Sequence, residues 1–309
     1  ELRARTEELE TSNRQLASAR ERLEELLEAR TARLKEARRE LRTTRKALEA
    51  HYTYEGLVGA SAPMRRIYAM IERIKHTDVP VLITGESGTG KEIVARAIHQ
   101  SSPRSAGKFL GVNCGAIPEQ ILESELFGHV RGAFTGADRE RKGLFREASG
   151  GSLFLDEIGE TPAKMQTGLL RVLQERKVRP VGGQVEEPID VRVIFATNRD
   201  LDALVGAGRF REDLLYRIRV VELRLPALRE RSEDIPQLVD HFFSRFAARF
   251  DRPKKVLSRG ALHRLLEYPW PGNVRQLENA LLDAWVLSEG EVIEADDLEL
   301  PSSRPSSAL

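Results

Sequence analysis

The sequence predicts an α/β fold: a parallel five-stranded sheet with helices between its strands, a purely helical segment behind it and a long helix in front. Three observations predict it. Short apolar runs alternate with amphipathic stretches from residue 57 to about 226. A glycine-rich turn ending in Lys91 stands between the first such run and an amphipathic stretch from Ile93 to His99. Residues 1 to about 50 carry no Gly or Pro and repeat Leu every seven positions.

Taken in order, residues 1–52 come first. Leu2, Leu9, Leu16 and Leu23 fill heptad d positions, and Leu27, Leu34, Leu41 and Leu48 fill a positions of the same register. The complementary seam is weak, with Thr6, Asn13 and Arg20 at a and Arg30, Ala37 and Thr44 at d. This predicts a weak coiled coil that pairs two chains, parallel so that both following domains lie at one end. A solitary helix laced with ion pairs is the alternative. The helix should end between Tyr52 and Gly56.

Residues 53–226 carry the α/β core, with strands expected at Val81–Thr84, Phe109–Asn113, Ser152–Asp156, Val191–Thr197 and Val220–Leu223. Residues 227–300 then turn helical, through Ile235–Phe250, Ser258–Glu267 and Gly272–Ser288. Ser258 and Asn273 read as helix caps or first-turn residues, and Pro269 and Pro271 break the helix before. Residues 301–309 read as a Ser- and Pro-rich disordered linker.

The chemistry begins at Val81. Val81-Leu82-Ile83-Thr84 feeds Gly85-Glu86-Ser87-Gly88-Thr89-Gly90-Lys91, the order of a P-loop. Glycines let the backbone wrap a phosphate chain and aim its N–H groups inward, and the next helix presents its positive end to the same anion. Lys91 adds a point charge for the β- and γ-phosphates. Glu92 stands where a Ser or Thr usually ligates magnesium, so the ion must rely on other groups. Asp156 and Glu157 end a buried strand, where ligands of open α/β sheets sit. Alone, this pair could equally cap a helix. Behind a P-loop it reads as magnesium ligand, through water, and as the carboxylate that orients the attacking water.

A third segment runs from Glu125 to Ala137 and interrupts the helical pattern after Ile117-Pro118. Its glycines bracket Ala133-Phe134-Thr135, so it is either a mobile loop lifting one aromatic or a turn anchored by Phe134 in the core.

Residues 56 to about 300 resemble the central domain of bacterial enhancer-binding proteins, the AAA+ activators of sigma-54 RNA polymerase. Gly85 to Glu92 resembles that family's Walker A, Glu92 included, and the Gly132-Ala133-Phe134-Thr135-Gly136-Ala137 run matches its sigma-contacting signature. Phe210 to Arg217 resembles the arginine-finger segment, and Trp270 to Leu277 the lid segment with the sensor II arginine. The resemblance implies an AAA+ P-loop core with a helical lid, binding ATP and Mg2+. It implies catalysis by Glu157 and Asp156, with Asn198 as sensor I, Asn113 holding Glu157 inactive, and Arg211 and Arg217 reaching a neighbour's γ-phosphate. Val58, Gly59 and Arg275 join the nucleotide-binding set, and a hairpin from Arg179 to Glu187 would support the Phe134 loop. The implied partners are sigma-54 holoenzyme and further copies in a hexameric or heptameric ring.

DNA would be held through a helix-turn-helix beyond this chain, and a sensory domain upstream would signal through the coiled coil. One cysteine, Cys114, excludes an internal disulfide and fits a reducing, cytoplasmic setting. No apolar run reaches the length of a membrane span, so no membrane partner is expected. The reading is an ATPase that remodels closed promoter complexes into open ones. The alternatives are an AAA+ remodeller of another protein, or a nucleotide-gated binding module without turnover.

Overall fold

The computed structural model describes residues 56–134 and 137–300. The expected coiled coil over 1–52 and the linker over 301–309 lie outside the described residues, as do Thr135 and Gly136 of the signature loop.

Five short, mostly apolar segments form the sheet: β1 (Val81–Thr84), β2 (Phe109–Asn113), β3 (Ser152–Asp156), β4 (Arg192–Thr197) and β5 (Val221–Arg224). Their order is β2-β3-β4-β1-β5 and every pairing is parallel. β1 lies between β4 and the edge strand β5, with Val81 opposite Ile194 on one side and Val221 on the other. Parallel pairing needs crossovers, and helices supply them. After α1 (Ala62–Ile74), which precedes β1, they are α2 (Lys91–Gln100), α3 (Glu119–Phe127), α4 (Leu144–Glu147), α5 (Ala163–Glu175), α6 (Leu201–Gly206) and α7 (Glu212–Ile218).

Strand side chains alternate between faces, so β1, β3 and β4 each feed two cores. Leu82, Leu153, Leu155 and Phe195 pack with Leu126, Leu169 and Leu214 on one face. Val81, Ile83, Phe154 and Ile194 pack with Ile71, Val94 and Ile98 on the other. A third core, built on Phe243, Phe246, Trp270, Leu277 and Trp285, belongs to the lid helices α8 (Ile235–Phe250), α9 (Arg259–Glu267) and α10 (Asn273–Leu287). Ser258 caps α9 by accepting from the Ala261 N–H at 3.2 Å. No helix among the described residues is long and apolar enough to cross a membrane.

Two expectations are corrected. The lid is not purely helical: Val256–Leu257 and Val292–Ile293 pair in parallel. The interruption at Glu125 begins later, because α3 runs through Phe127 and stops at Gly128, whose φ of 79° ends the helix. The expected hairpin is present, with Lys177–Val178 antiparallel to Glu187–Pro188.

Candidate nucleotide-binding site

β1 ends at Thr84 and the chain turns through Gly85–Gly90 into α2. Gly88 has φ 78°, and a Cβ there would lie 2.3 Å from the Gly272 carbonyl oxygen of the lid. Only glycine lets loop and lid approach so closely. Lys91 Nζ donates to the carbonyls of Gly85 at 2.8 Å and Glu86 at 3.0 Å. Burial pushes its pKa down, and the carboxylates of Asp156 and Glu157 oppose that shift. The N-terminus of α2, open backbone N–H groups and a buried ammonium together make a cradle that fits a phosphate chain.

β3 delivers the carboxylates to the same end of the sheet. Burial pushes the Asp156 pKa up, while the Glu157 N–H, donating at 2.9 Å, and the Lys91 charge pull it back. Glu157 sits at φ 55°, a conformation that costs a residue with a Cβ of order 1–3 kcal/mol. Asn113 and Glu157 converge on Gly115, where a Cβ would lie 2.5 Å from Glu157 Oε2 and 3.5 Å from Asn113 Oδ1. Asn113 does not hold Glu157 here. Its side-chain oxygen accepts from the N–H groups of Gly115 at 2.8 Å and Ala116 at 3.0 Å, a local turn that satisfies it. Cys114 lies beside this pair, and burial pushes its thiol up to about 12.

Asn198 is exposed just beyond β4 and lines a cavity of about 470 Å³ together with Thr84, Gly85 and Glu86. Glu92 faces away along α2 and pairs with Arg96 at 2.8 Å. A carboxylate so engaged adds charge near Asp156 without a ligand's geometry.

The lid closes on the loop from the other side. Asn273 is fully buried with φ 52°. Its Nδ2 donates to Glu86 Oε2 at 3.0 Å and to the Ser87 carbonyl at 3.0 Å, and its Oδ1 accepts from the Leu228 N–H at 2.8 Å. The Arg275 N–H donates to the Gly88 carbonyl at 3.2 Å. Arg229 grips Glu86 with two bonds, at 2.9 and 2.5 Å, and with Asn273 holds the carboxyl down to about 2. Arg231 is buried and donates to the Thr89 carbonyl at 3.1 Å.

The lid also fixes the turn at residues 58–61. Val58 packs against the lid core. Gly59 has φ 142°, and a Cβ there would meet Asp234 Oδ2 at 2.6 Å. Buried Asp234 accepts from the N–H groups of Ala60 and Ser61, each at 2.8 Å, and from the Ser61 hydroxyl at 2.7 Å. Sequence reasoning missed Arg229, Arg231 and Asp234, and saw in Asn273 only a helix start. The available signal was an Asn directly after Gly272, since Asn tolerates positive φ.

Arg211 and Arg217 are not brought to this chain's own loop. Arg211 pairs with Asp213 at 2.6 Å. Arg217 donates to the Leu173 carbonyl at 3.2 Å and lines a cavity of about 410 Å³ with Asp78, Pro80, Val191 and Val220. Those residues lead into the strands, at the end of the sheet opposite the P-loop.

The signature loop is described up to Phe134 and again from Ala137. It leans on the hairpin: Val130 N–H donates to the Val181 carbonyl at 3.2 Å, and Val181 N–H to the Gly128 carbonyl at 2.8 Å. Gly132, with φ 81°, and Ala137 are linked by a 2.8 Å backbone bond. A Cβ on Gly182 would lie 2.9 Å from the Ala133 Cβ, so hairpin and loop touch. Phe134 is 44% exposed.

Comparison with known proteins gives a consistent result. The family model of the sigma-54 interaction domain matches residues 57–224, and that of an AAA+ ATPase lid domain matches residues 229–307. The response regulator protein PilR of Pseudomonas aeruginosa is 52% identical over 244 residues, covering 79% of this chain and 55% of its own. The transcriptional regulatory protein ZraR of Escherichia coli K12 is 52% identical over 245 residues, 79% of this chain and 56% of its own. The Nif-specific regulatory protein of Klebsiella pneumoniae is 52% identical over 242 residues, 78% of this chain and 46% of its own. The chain thus spans about half the length of these relatives. The crystal structure of NtrX from Brucella abortus in complex with ATP superposes with a TM-score of 0.75 at 37% identity, covering 89% of this chain and 62% of that one. Hsp104, at a TM-score of 0.56 and 18% identity, shares the fold.

Proposed function

The chain belongs to the sigma-54 interaction domain family, and from that premise we propose that it hydrolyses ATP within a ring of copies and remodels sigma-54 RNA polymerase from closed to open promoter complexes. The observation that carries this reading is the meeting of Lys91, Asp156 and Glu157 beyond the carboxyl ends of β1 and β3, under a lid bonded to the same loop. Gly85 to Lys91 would bind the phosphates, with Glu92 flanking, and Val58 and Gly59 would lie at the base, between core and lid. Asp156 would hold a magnesium ion, whose charge offsets that of the phosphates. Glu157 would orient the lytic water and Asn198 would report on the γ-phosphate. Asn113 would restrain Glu157 after leaving its present turn, and Arg275 would reach the phosphates from the lid.

Output would run through Gly132 to Ala137, with Phe134 at the sigma contact. The ATP held by NtrX supports nucleotide binding at this fold. The coiled coil over 1–52 would hold a dimer that regulates ring assembly. DNA would be engaged through a domain beyond this chain, and the setting would be the cytoplasm.

The test is paired. Phosphate release from ATP and open-complex formation on a sigma-54 promoter are measured with the same preparation. Both are expected. Turnover without promoter opening favours a remodeller of another protein, and nucleotide binding without turnover favours a gated binding module.

A further inference from the structure

Four consecutive loop residues are each bonded to the lid. Glu86 is held by Arg229 and Asn273, Ser87 by Asn273, Gly88 by Arg275 and Thr89 by Arg231. On its inner side the same loop gives the carbonyls of Gly85 and Glu86 to Lys91. Glu86 therefore belongs to both sides: its backbone to the phosphate cradle and its carboxylate to the lid.

We propose that Arg229 and Asn273 are positioning residues that read phosphate occupancy of the loop through Glu86 and set the angle of the lid. The inference rests on the ATPase reading above. Two of the three donors of Lys91 are spent on these carbonyls, and a β- or γ-phosphate competes for all three at charge-assisted strength, drawing the ammonium away from the loop backbone. Its departure leaves the Glu86 carbonyl to the Thr89 hydroxyl alone, at 2.8 Å, and so loosens the Glu86 peptide on the inner side while the carboxylate stays anchored outside. A polyanion entering the loop also repels the Glu86 carboxylate and attracts the Arg229 guanidinium, so the pair that joins loop to lid feels it at both ends. Both effects act on the same two lid side chains. Asn273 passes the change on, because its other atom holds the Leu228 N–H at the point where the lid begins. A left-handed residue buried at a helix start, with every polar atom bonded, has one orientation, so it moves with what it grips.

Spin labels at Arg66 on α1 and His263 on α9, both exposed, would read the core-to-lid distance in the full chain. Distances are taken at saturating concentrations of a slowly hydrolysed ATP analogue and of ADP, so that altered affinity does not enter. The wild type should give two different distance distributions. Arg229→Gln should merge them, and Arg229→Lys should restore part of the difference, because it keeps the charge but not the fork. In turnover assays Arg229→Gln should lower kcat more than it raises KM. An undiminished nucleotide-dependent shift in Arg229→Gln overturns the proposal. So does a wild type that binds both nucleotides at one distance, an outcome that leaves the ATPase reading standing. A wild type that binds neither nucleotide defeats the ATPase reading itself, and this inference with it.

Discussion

The rings of Phe134 and His129 meet edge-on, with centroids 5.0 Å apart, and His129 is fixed from behind by a 2.6 Å hydrogen bond between its Nδ1 and the Ser124 hydroxyl. The aromatic of the signature loop is therefore half docked. Such a contact is worth about 0.5–1.5 kcal/mol, too little to hold the loop against a binding partner. Phe134 touches no part of the phosphate cradle. Phe134→Ala is expected to keep ATP turnover within about twofold of wild type and to lose open-complex formation. A variant that still opens promoters removes the ground for assigning output to this loop.

Glu157 carries a strained backbone where Gly or Asn would be at ease. Strain and chemistry can be separated there by substitution. Glu157→Gly should lose ATP turnover yet denature no more easily than wild type, because relief of about 1–2 kcal/mol offsets the added chain entropy. Glu157→Val should lose turnover and also melt lower. Nucleotide binding should survive in the Gly variant, since the loop and Lys91 are untouched. A Gly variant that melts well below wild type would show that the side chain is structural.

At the opposite end of the sheet, Arg104 holds Asp78 with bonds of 2.8 and 2.8 Å and Asp190 with bonds of 2.6 and 3.1 Å. The hydrogen bonds to Arg104 hold both carboxyls below the ordinary carboxylate range. In the folded chain these groups bind fewer protons than in the unfolded chain. Their contribution is fully present above the unfolded pKa of 3.8 and is lost as pH falls through the lower folded values. Asp78 and Asp190 are 48% and 63% exposed, so screening keeps the effect small. Urea midpoints measured from neutral pH into acid should fall less steeply for Arg104→Gln than for wild type. Equal slopes would show that the pairs contribute nothing to folding.

Sheet and motifs were legible because both are local. β1, β2 and β3 begin and end at the expected residues, set by apolar runs between turns, and α8 matches Ile235–Phe250 residue for residue. β4 and β5 each start one residue later than expected, at Arg192 and Val221. The two lid strands were invisible because two-residue pairings carry no periodicity. The hold of the lid on the loop was invisible for another reason. Asn273 and Glu86 are 187 positions apart, and nothing in either neighbourhood announces the other. Family resemblance marked Arg275, which bonds the loop through its backbone, and passed over Arg229, which bonds it through its side chain.

Arg217 stands at the end of the sheet away from this chain's P-loop, so any role in hydrolysis must be played on a neighbour. Arg211 is exposed, and its pairing with Asp213 is a surface contact that a phosphate could displace, since such pairs are worth about 0–1 kcal/mol. A guanidinium delivered across a subunit boundary would neutralise charge that develops on the γ-phosphate. Complementation follows. Arg217→Ala subunits alone and Lys91→Ala subunits alone should each release little phosphate. Mixed assemblies place an intact P-loop from the first beside an intact Arg217 from the second at some boundaries, and these should recover part of the wild-type rate. Turnover measured across a mixing series should peak near equal amounts and stay below the wild-type value, because only a fraction of boundaries is productive. A flat series, with mixed assembly verified by mass, would place Arg217 outside the shared site.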